Sequence, residues 1–345
     1  MDRKKMRSNV MLALTAFIWG LAFVAQSVGM DYVGPFTFNA VRFLIGGLVL
    51  IPCMFLLRRG RHRQEENERE ENRQEENCQE ENCQEEKECA CLAGRNVKRT
   101  GEKQQQKRNG VIGGICCGIA LFMASSFQQF GVALTSVGKA GFITALYIII
   151  VPLLGLFVKK KVGLTVWASV AIAMAGMYLL CMSGGAASVS RGDLYVFIGS
   201  ICFSFHILII DYFSPKADGV FLSCIQFFTA GILALGPSLV LETPAVTAVL
   251  AAWAPVLYAG VMSCGVAYTL QVVVQKDTDP VVASLILSLE SVFSLLAGWV
   301  ILGQRLSIKE LSGCVLVFGA ILLAQLPENL FSRKESKETA STNGR

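Results

Sequence analysis

The hydrophobic positions of this chain fall in long runs, each closed by a short polar or charged break. Ten runs predict ten helices, at 9–29, 35–57, 110–134, 139–158, 163–182, 192–213, 220–240, 249–272, 280–302 and 308–326. Each is about 20 residues long, enough to cross a hydrocarbon layer of about 30 Å. The pattern predicts an all-α polytopic membrane protein with ten transmembrane helices. The first run has a basic start and an "AQS" at Ala25–Ser27 that imitates a signal-peptidase site. Its apolar core is too long for a signal peptide, and nine more runs follow, so it reads as a retained span.

Composition agrees. Of 345 residues, 53% are hydrophobic and 17% charged, where soluble proteins are nearer a quarter charged. Most of the charge is confined to the first residues, a block from Arg58 to Arg108, and the tail after Pro327. Lysine and arginine fix the orientation. With both termini cytoplasmic, the inside segments hold Arg3, Lys4, Lys5, Arg7, the 58–109 block, Lys159–Lys161, Lys216, Lys276 and the basic tail. Only Lys139, Arg191, Arg305 and Lys309 then fall outside. The expected location is a cell membrane, crossed many times, with both termini inside.

The net charge of +5 reflects this topology. No basic helix or aromatic platform points to nucleic acid, which is not an expected partner. The 12 cysteines are scattered through apolar runs or cluster in the charged block, and no disulfide framework follows from their spacing.

The sequence also resembles itself. Sliding it by about 143 residues lays "AGFITALYIIIVPLLGLF" (140–157) on "ASLILSLESVFSLLAGWV" (283–300). The same shift pairs Gln128 with Gln271, Tyr147 with Glu290, Gly155 with Gly298 and Gly176 with Gly319. Near the start, "FIWGLAFV" (17–24) pairs with "ICFSFHIL" (201–208) at an offset about 41 larger, as an insertion between spans two and three would produce. The expected organisation is a tail at 1–8, a first repeat at 9–182 interrupted by the insert at 58–109, a second repeat at 192–326, and a tail at 327–345. Five spans per half is an odd number, so the halves are inverted. Two such bundles rocking around a central site is a transporter architecture.

The segments "FIWGLAFVAQ", "PFTFNAVRFLIGGLVL", "SVGKAGFITALYIIIVPLLGLF" and "GVAYTLQVVVQKDTDPVVASLILSLESVFSLLAGWVILGQRLSIKELSGCVLVFGAILL" resemble the EamA branch of the drug/metabolite transporter superfamily. The resemblance covers nearly all the chain except 58–109 and the tail. It implies a ten-helix bundle of inverted repeats that moves small metabolites, often exporting amino acids or toxic compounds. Two departures stand out. Where many relatives carry a proline after the ninth-span glutamate, this chain has Ser291, and where they carry "GER" it has "GQR" at Gly303–Arg305.

The insert is a degenerate run of QEEN units with no apolar periodicity. It cannot bury enough surface to offset chain ordering, so disorder or a frayed solvated helix is expected. A zinc site from Cys78, Cys83, Cys89 and Cys91, with His62, is the rival reading, but zinc wants paired ligands at short spacing on a folded turn. Duplication of the unit explains the register of Cys78 and Cys83, and no metal is expected. Flanking basic residues such as Arg58, Arg59, Lys107 and Arg108 can hold both ends at anionic headgroups.

Polar residues inside the spans are the candidate chemistry. An acid at mid-membrane costs roughly 2.5–3.5 kcal/mol on insertion scales, so Glu290 needs a reason. Its helical face holds Ala283, Leu287, Ser294 and Ala297, small enough for a neighbour or substrate to approach. Glu290 is expected to point inward, to bind a cationic or ammonium-bearing substrate or to carry a proton. A structural hydrogen bond locking two helices is the alternative. Tyr147 is its counterpart in the other half. Arg42 shares a face with Asn39 and Gly46 and can bind a substrate carboxylate or pair with a carbonyl or acid. The resemblance implies an arginine here across many substrates, which favours a structural or gating role.

His206 can relay protons or serve as a satisfied interhelical donor. Gln128 and Gln271, paired by the shift, are candidates for a cavity wall or for symmetric helix–helix bonds; Gln129 sits beside Gln128, and Tyr268 lies one turn from Gln271. Trp19, near mid-span, can stack on a ligand or pack plainly. Asp211 is placed near the inner interface, balancing Lys216. Pro152 is expected to bend the fourth span. Gly-rich phosphate loops, HExxH and GxSxG are absent, which disfavours ATP-driven pumping, and no cofactor is expected.

The function these features predict is a secondary transporter exporting a small metabolite, an amino acid or related polar compound. Glu290, Tyr147, Gln128, Gln271, Trp19 and Tyr268 would contact substrate. Glu290, His206 and Arg42 would serve coupling or gating, with protons as the coupling ion. The partners are the substrate and the lipid bilayer. The rivals are a membrane scaffold or sensor working through 58–109, and an intramembrane enzyme using Glu290 and His206. Neither needs two inverted halves.

Overall fold

Two of the predicted spans are broken, and at matching places. The computed structural model describes residues 3–77, 85–157, 163–181, 190–303 and 307–324. Span four is two helices, α4 (Val137–Thr144) and α5 (Tyr147–Phe157). Span nine is likewise α12 (Pro280–Leu287) and α13 (Leu289–Leu302). Both leading pieces are eight residues long. Their starts and ends correspond at the offset of 143 that separates Tyr147 from Glu290.

The breaks have different local causes. Pro152 has no N–H to give the Ile148 carbonyl, and its ring crowds that carbonyl. The backbone tightens in the turn before it. Leu146 N–H donates to Ile143 O at 3.2 Å, and Ile148 and Ile149 donate three residues back at 3.0 Å. The expected bend at Pro152 therefore sits one turn earlier, and the freed Thr144 carbonyl accepts from Ser200 Oγ at 2.9 Å.

Span nine has no proline at its break. Ser284, Ser288, Ser291 and Ser294 each donate their hydroxyl to the carbonyl three residues back, at 2.7–2.9 Å. Such back-bonding competes with the backbone ladder and bends helices. A row of serines does here what proline does in the fourth span.

The remaining described helices are α1 (Arg3–Gly29), α2 (Pro35–Asn77), α3 (Glu85–Val132), α6 (Leu164–Cys181), α7 (Arg191–Phe213), α8 (Gly219–Pro237), α9 (Val246–Ala251), α10 (Trp253–Leu257), α11 (Thr269–Gln275) and α14 (Ile308–Ala324). A π-helical turn at Ser238–Glu242 extends α8, and a longer π segment, Tyr258–Tyr268, joins α10 to α11. The predicted continuous span at 249–272 is thus a composite whose wide turns occupy its middle.

Among the described residues, eight helical segments are long and apolar enough to cross a membrane. The predicted spans 163–182 and 308–326 correspond to shorter apolar stretches, Leu164–Gly176 and Leu311–Ala320. Their helices, α6 and α14, pack on each other beside α4, α12 and α13. Many large apolar side chains stay exposed, including Leu14, Leu48, Ile115, Phe205, Ile232 and Val300. A soluble protein does not leave so much apolar surface in water, whereas lipid accepts it. This is a multi-pass membrane protein.

Packing repeats across the chain. Helix α3 lies on α7, and Tyr258–Tyr268 lies on α1. Helix α1 lies on α13, and α7 lies on α5. Helix α3 also lies on α8, and Tyr258–Tyr268 lies on α2. The second member of each pair joins the counterparts of the first. Gly20 allows the α1–α13 approach, because a Cβ there would meet the backbone of Phe293 and Ser294.

Of the two forms expected for the insert, its described part takes the helical one. Helix α2 runs on to Asn77 and α3 begins at Glu85. Glu, Gln, Arg and Lys are good helix formers, and extending an existing helix avoids the cost of nucleation. Cys78, Cys83, Lys159–Lys161, Arg305 and the tail at 327–345 lie outside the described residues, as do the side chains of His62, Cys89 and Cys91.

Two polar latches tie helix ends together. Asp193, in a capping box with Ser190, also takes Lys139 Nζ at 2.6 Å and Thr135 Oγ1 at 2.9 Å. Glu242 caps α2 from another helix, accepting from the N–H groups of Phe36 and Thr37 at 2.9 and 2.7 Å and from Thr37 Oγ1 at 2.7 Å. Thr243 follows in the left-handed region, with φ 42°.

Candidate substrate-binding site

A cavity opens where the two broken helices meet. It encloses about 450 Å³ of empty space, counting its mouth. Glu290, Tyr147, Gln128, Gln271, Trp19, Tyr268, His206 and Arg42 all line it. These eight are the substrate-contact, coupling and gating candidates the sequence singles out, and they come from seven different predicted spans.

Glu290 stands in the first turn of α13, just past the serine break, and is 3% exposed. Its expected face is buried throughout, with Ala283, Leu287 and Ser294 fully enclosed. Tyr147, first residue of α5, donates its hydroxyl to Glu290 Oε1 at 2.9 Å. Each of the two broken helices thus places one polar group at the start of its second piece.

The amides and the imidazole have fixed partners. Gln128 Nε2 donates to Thr144 Oγ1 at 3.1 Å, across to the end of α4. Gln271 Nε2 donates to Gln275 Oε1 at 3.2 Å, and Gln275 in turn donates to the Ile207 carbonyl at 2.7 Å. His206 Nε2 meets Gln226 Oε1 at 3.1 Å. His206 is therefore an interhelical partner as well as part of the wall.

Tyr268, at the end of the long π segment, is an aromatic hub. Trp19 packs on it at 4.5 Å between centroids, His206 at 5.9 Å and Phe227 at 6.0 Å. π-Helical turns are often found at functional sites, and this one supplies both Tyr268 and Ser263 to the cavity. Trp19 packs on Tyr268 and also lines the cavity, and its Nε1 has no hydrogen-bond partner.

Arg42 is 1% exposed and sits over the rings of Phe43 and Phe38, at 4.8 and 5.6 Å. Its Nε and Nη2 have no hydrogen-bond partner, so the expected pairing with a carbonyl or acid is not made through those atoms. Gln129 does not line the cavity and instead donates to the Gln26 carbonyl at 3.2 Å. Lys216 Nζ lies 3.1 Å from the centroid of the Tyr212 ring.

Sequence reasoning missed Gln26, Thr144 and Ser263 as wall residues. Gln26 was visible as the polar member of "AQS", there read only against a processing site. Thr144 and Ser263 gave no signal, since a small hydroxyl in a span satisfies itself on the backbone. Chemically, the wall offers an acid, a guanidinium, carboxamides and aromatic faces in one enclosed space. Such a set can hold a small polar molecule by its charged groups and stack on its apolar part.

The EamA-like transporter family model matches residues 6–69 and 190–326, more than half of the chain. An uncharacterized transporter of Archaeoglobus fulgidus is 26% identical over 324 residues, covering 94% of this chain and 87% of its own. A solved crystal structure aligns with TM-score 0.65 at 17% identity, covering 95% of this chain and 98% of that one, and so shares the fold. With the helical architecture, these matches point to a transporter rather than an enzyme. The chain belongs to the EamA-like transporter family, within the drug/metabolite transporter superfamily, and is a membrane transporter.

Proposed function

We propose that this protein is a secondary transporter that exports a small polar metabolite, an amino acid or a related compound, by alternating access. One observation carries the reading. Spans four and nine break at equivalent positions, and the broken ends face one polar cavity. Interrupted helices in corresponding halves mark the binding site of carriers built from repeats. The full architecture in this reading has ten spans, with α6 and α14 as the fifth and tenth, arranged as two inverted halves. Lysine and arginine bias supports both termini in the cytoplasm of a cell membrane. The 58–109 insert then lies inside, and both latches lie on the outer face.

Glu290 carries the coupling proton in this reading, with His206 as the second candidate. The test has two stages. Cells expressing the protein are challenged with a panel of amino acids, analogues and antimetabolites, and protection against at least one is expected. That compound is then followed in proteoliposomes, where an imposed pH gradient should drive its uptake and Glu290→Gln should abolish the dependence. Unchanged pH-driven flux in the variant removes Glu290 from coupling. No protection and no flux for any compound removes the metabolite reading.

A further inference from the structure

Arg42 presents a problem that the fold does not solve. It is among the largest side chains fully enclosed in the protein. Among the described residues no carboxylate lies within ion-pair distance of it. The rings of Phe38 and Phe43 face the charge but cannot accept its N–H groups in ordinary hydrogen bonds. Guanidinium groups keep their charge in proteins. A buried charge without a partner is among the most costly features a fold can hold. Membrane interiors keep such groups where they serve transport.

The unfilled donors are specific. Nε and Nη2 form one edge of the guanidinium fork, and their two N–H bonds run side by side. That edge fits a planar carboxylate bidentately. Glu290 lines the same cavity, where its Oε1 accepts from Tyr147, and makes no ion pair with Arg42. The cavity thus keeps an acid and a base apart. A doubly charged phosphate would meet Glu290 unfavourably, whereas a molecule bearing both an ammonium and a carboxylate matches the two groups.

We infer that Arg42 is the carboxylate-binding residue of the transport site and that the substrate is a zwitterion, its carboxylate on Nε and Nη2 and its ammonium toward Glu290. Trp19 Nε1, also without a partner, adds a donor to the same wall. The inference rests on the transporter reading and narrows its substrate class. It also replaces the structural role that the sequence alone favours for Arg42.

The test uses the full chain purified in detergent, with thermal unfolding and tryptophan fluorescence as readouts. The probes are the 20 proteinogenic amino acids, each with its α-amide and its decarboxylated amine. At least one acid should bind, with its amide and amine 10-fold weaker or worse. Arg42→Gln should weaken that acid at least 30-fold. Arg42→Lys, which keeps charge but loses the fork, should fall between. Without ligand, Arg42→Gln should melt at or above the wild-type temperature, because an unpaired buried charge has gone; a structural lock would lower it. An amide or amine that equals its acid overturns the assignment, and so does unchanged acid binding by Arg42→Gln. Should that variant not fold, the acid, amide and amine comparison on wild type still decides. Binding of amines alone sinks the Arg42 assignment and leaves the transporter standing. No binding by any probe sinks the amino-acid reading itself.

Discussion

Tyr147 donates a 2.9 Å hydrogen bond to Glu290, and the two residues are 143 positions apart, the same shift that aligns one half of the chain with the other. Equivalent residues of two related units touch only near the axis that relates them. Under the proposed two-fold, this contact marks the axis. It also means that the halves supply unlike groups, a phenol and an acid, to one spot. The phenol orients the carboxylate. Hydrogen bonds to charged groups contribute about 1.5–3 kcal/mol, so Tyr147→Phe should raise the KM of the exported compound about 10-fold or more. Proteoliposome uptake checks this, with the melting temperature as a control for folding. An unchanged KM would reduce Tyr147 to packing.

How much of this was legible in the sequence can be argued from particular residues. Apolar run lengths gave the spans because lipid demands helices of a set length, and mid-span polar residues gave the cavity wall because lipid tolerates few of them. Eight such residues converge on one cavity. The internal shift by 143 was visible, and Pro152 signalled a bend in the fourth span, but the ninth-span break was not legible. Proline marks the fourth-span break one turn late, and serines make the ninth-span break, although serine is common in unbroken helices too. The π segment at Tyr258–Tyr268 has no sequence signature at all. The missing partners of Arg42 Nε and Nη2 were not legible, because isolation is a property of surroundings, which sequence does not contain.

The serine break makes a prediction about Ser291. Its N–H donates to Ser288 O, three residues back, outside the regular ladder. Proline costs about 3 kcal/mol or more in a helix interior because it removes a regular bond and its ring clashes. At 291 the ladder is already interrupted, so Ser291→Pro should melt within a few degrees of wild type. Val292→Pro, one residue further into α13, should lose most folded protein. Fluorescence-detected size exclusion of the two variants tests this, and equal damage from both would contradict the account of the break.

The two latches predict a conformational bias. Lys139–Asp193 and Glu242 with α2 join separate halves of the chain at what the proposed topology makes the outer face. An exporter must open this face to release its cargo. A typical net hydrogen bond is worth about 1 kcal/mol, so removing both latches should shift the resting equilibrium about 10-fold toward the open form. The measurement is labelling of Ser263→Cys, on the cavity wall, by an impermeant maleimide applied from outside in a cysteine-free background. Adding Lys139→Met and Glu242→Ala should speed labelling about 10-fold. No change in rate would show that neither latch holds the outer face closed.

The insert separates a carrier from a scaffold. The cavity draws Arg42 from α2 and Gln128 from α3, both within the spans that flank the insert. Helices α2 and α3 also pack against each other directly, so their ends need no long spacer. A Gly/Ser linker of about 12 residues reaches roughly 20 Å and should replace 61–105 without straining either helix. Export by this variant should stay within about twofold of wild type, measured by cell protection and by proteoliposome flux. A scaffold or sensor acting through the block would lose its phenotype entirely while the bundle still folded. The opposite pairing is expected here, because every group proposed to touch substrate lies in the spans.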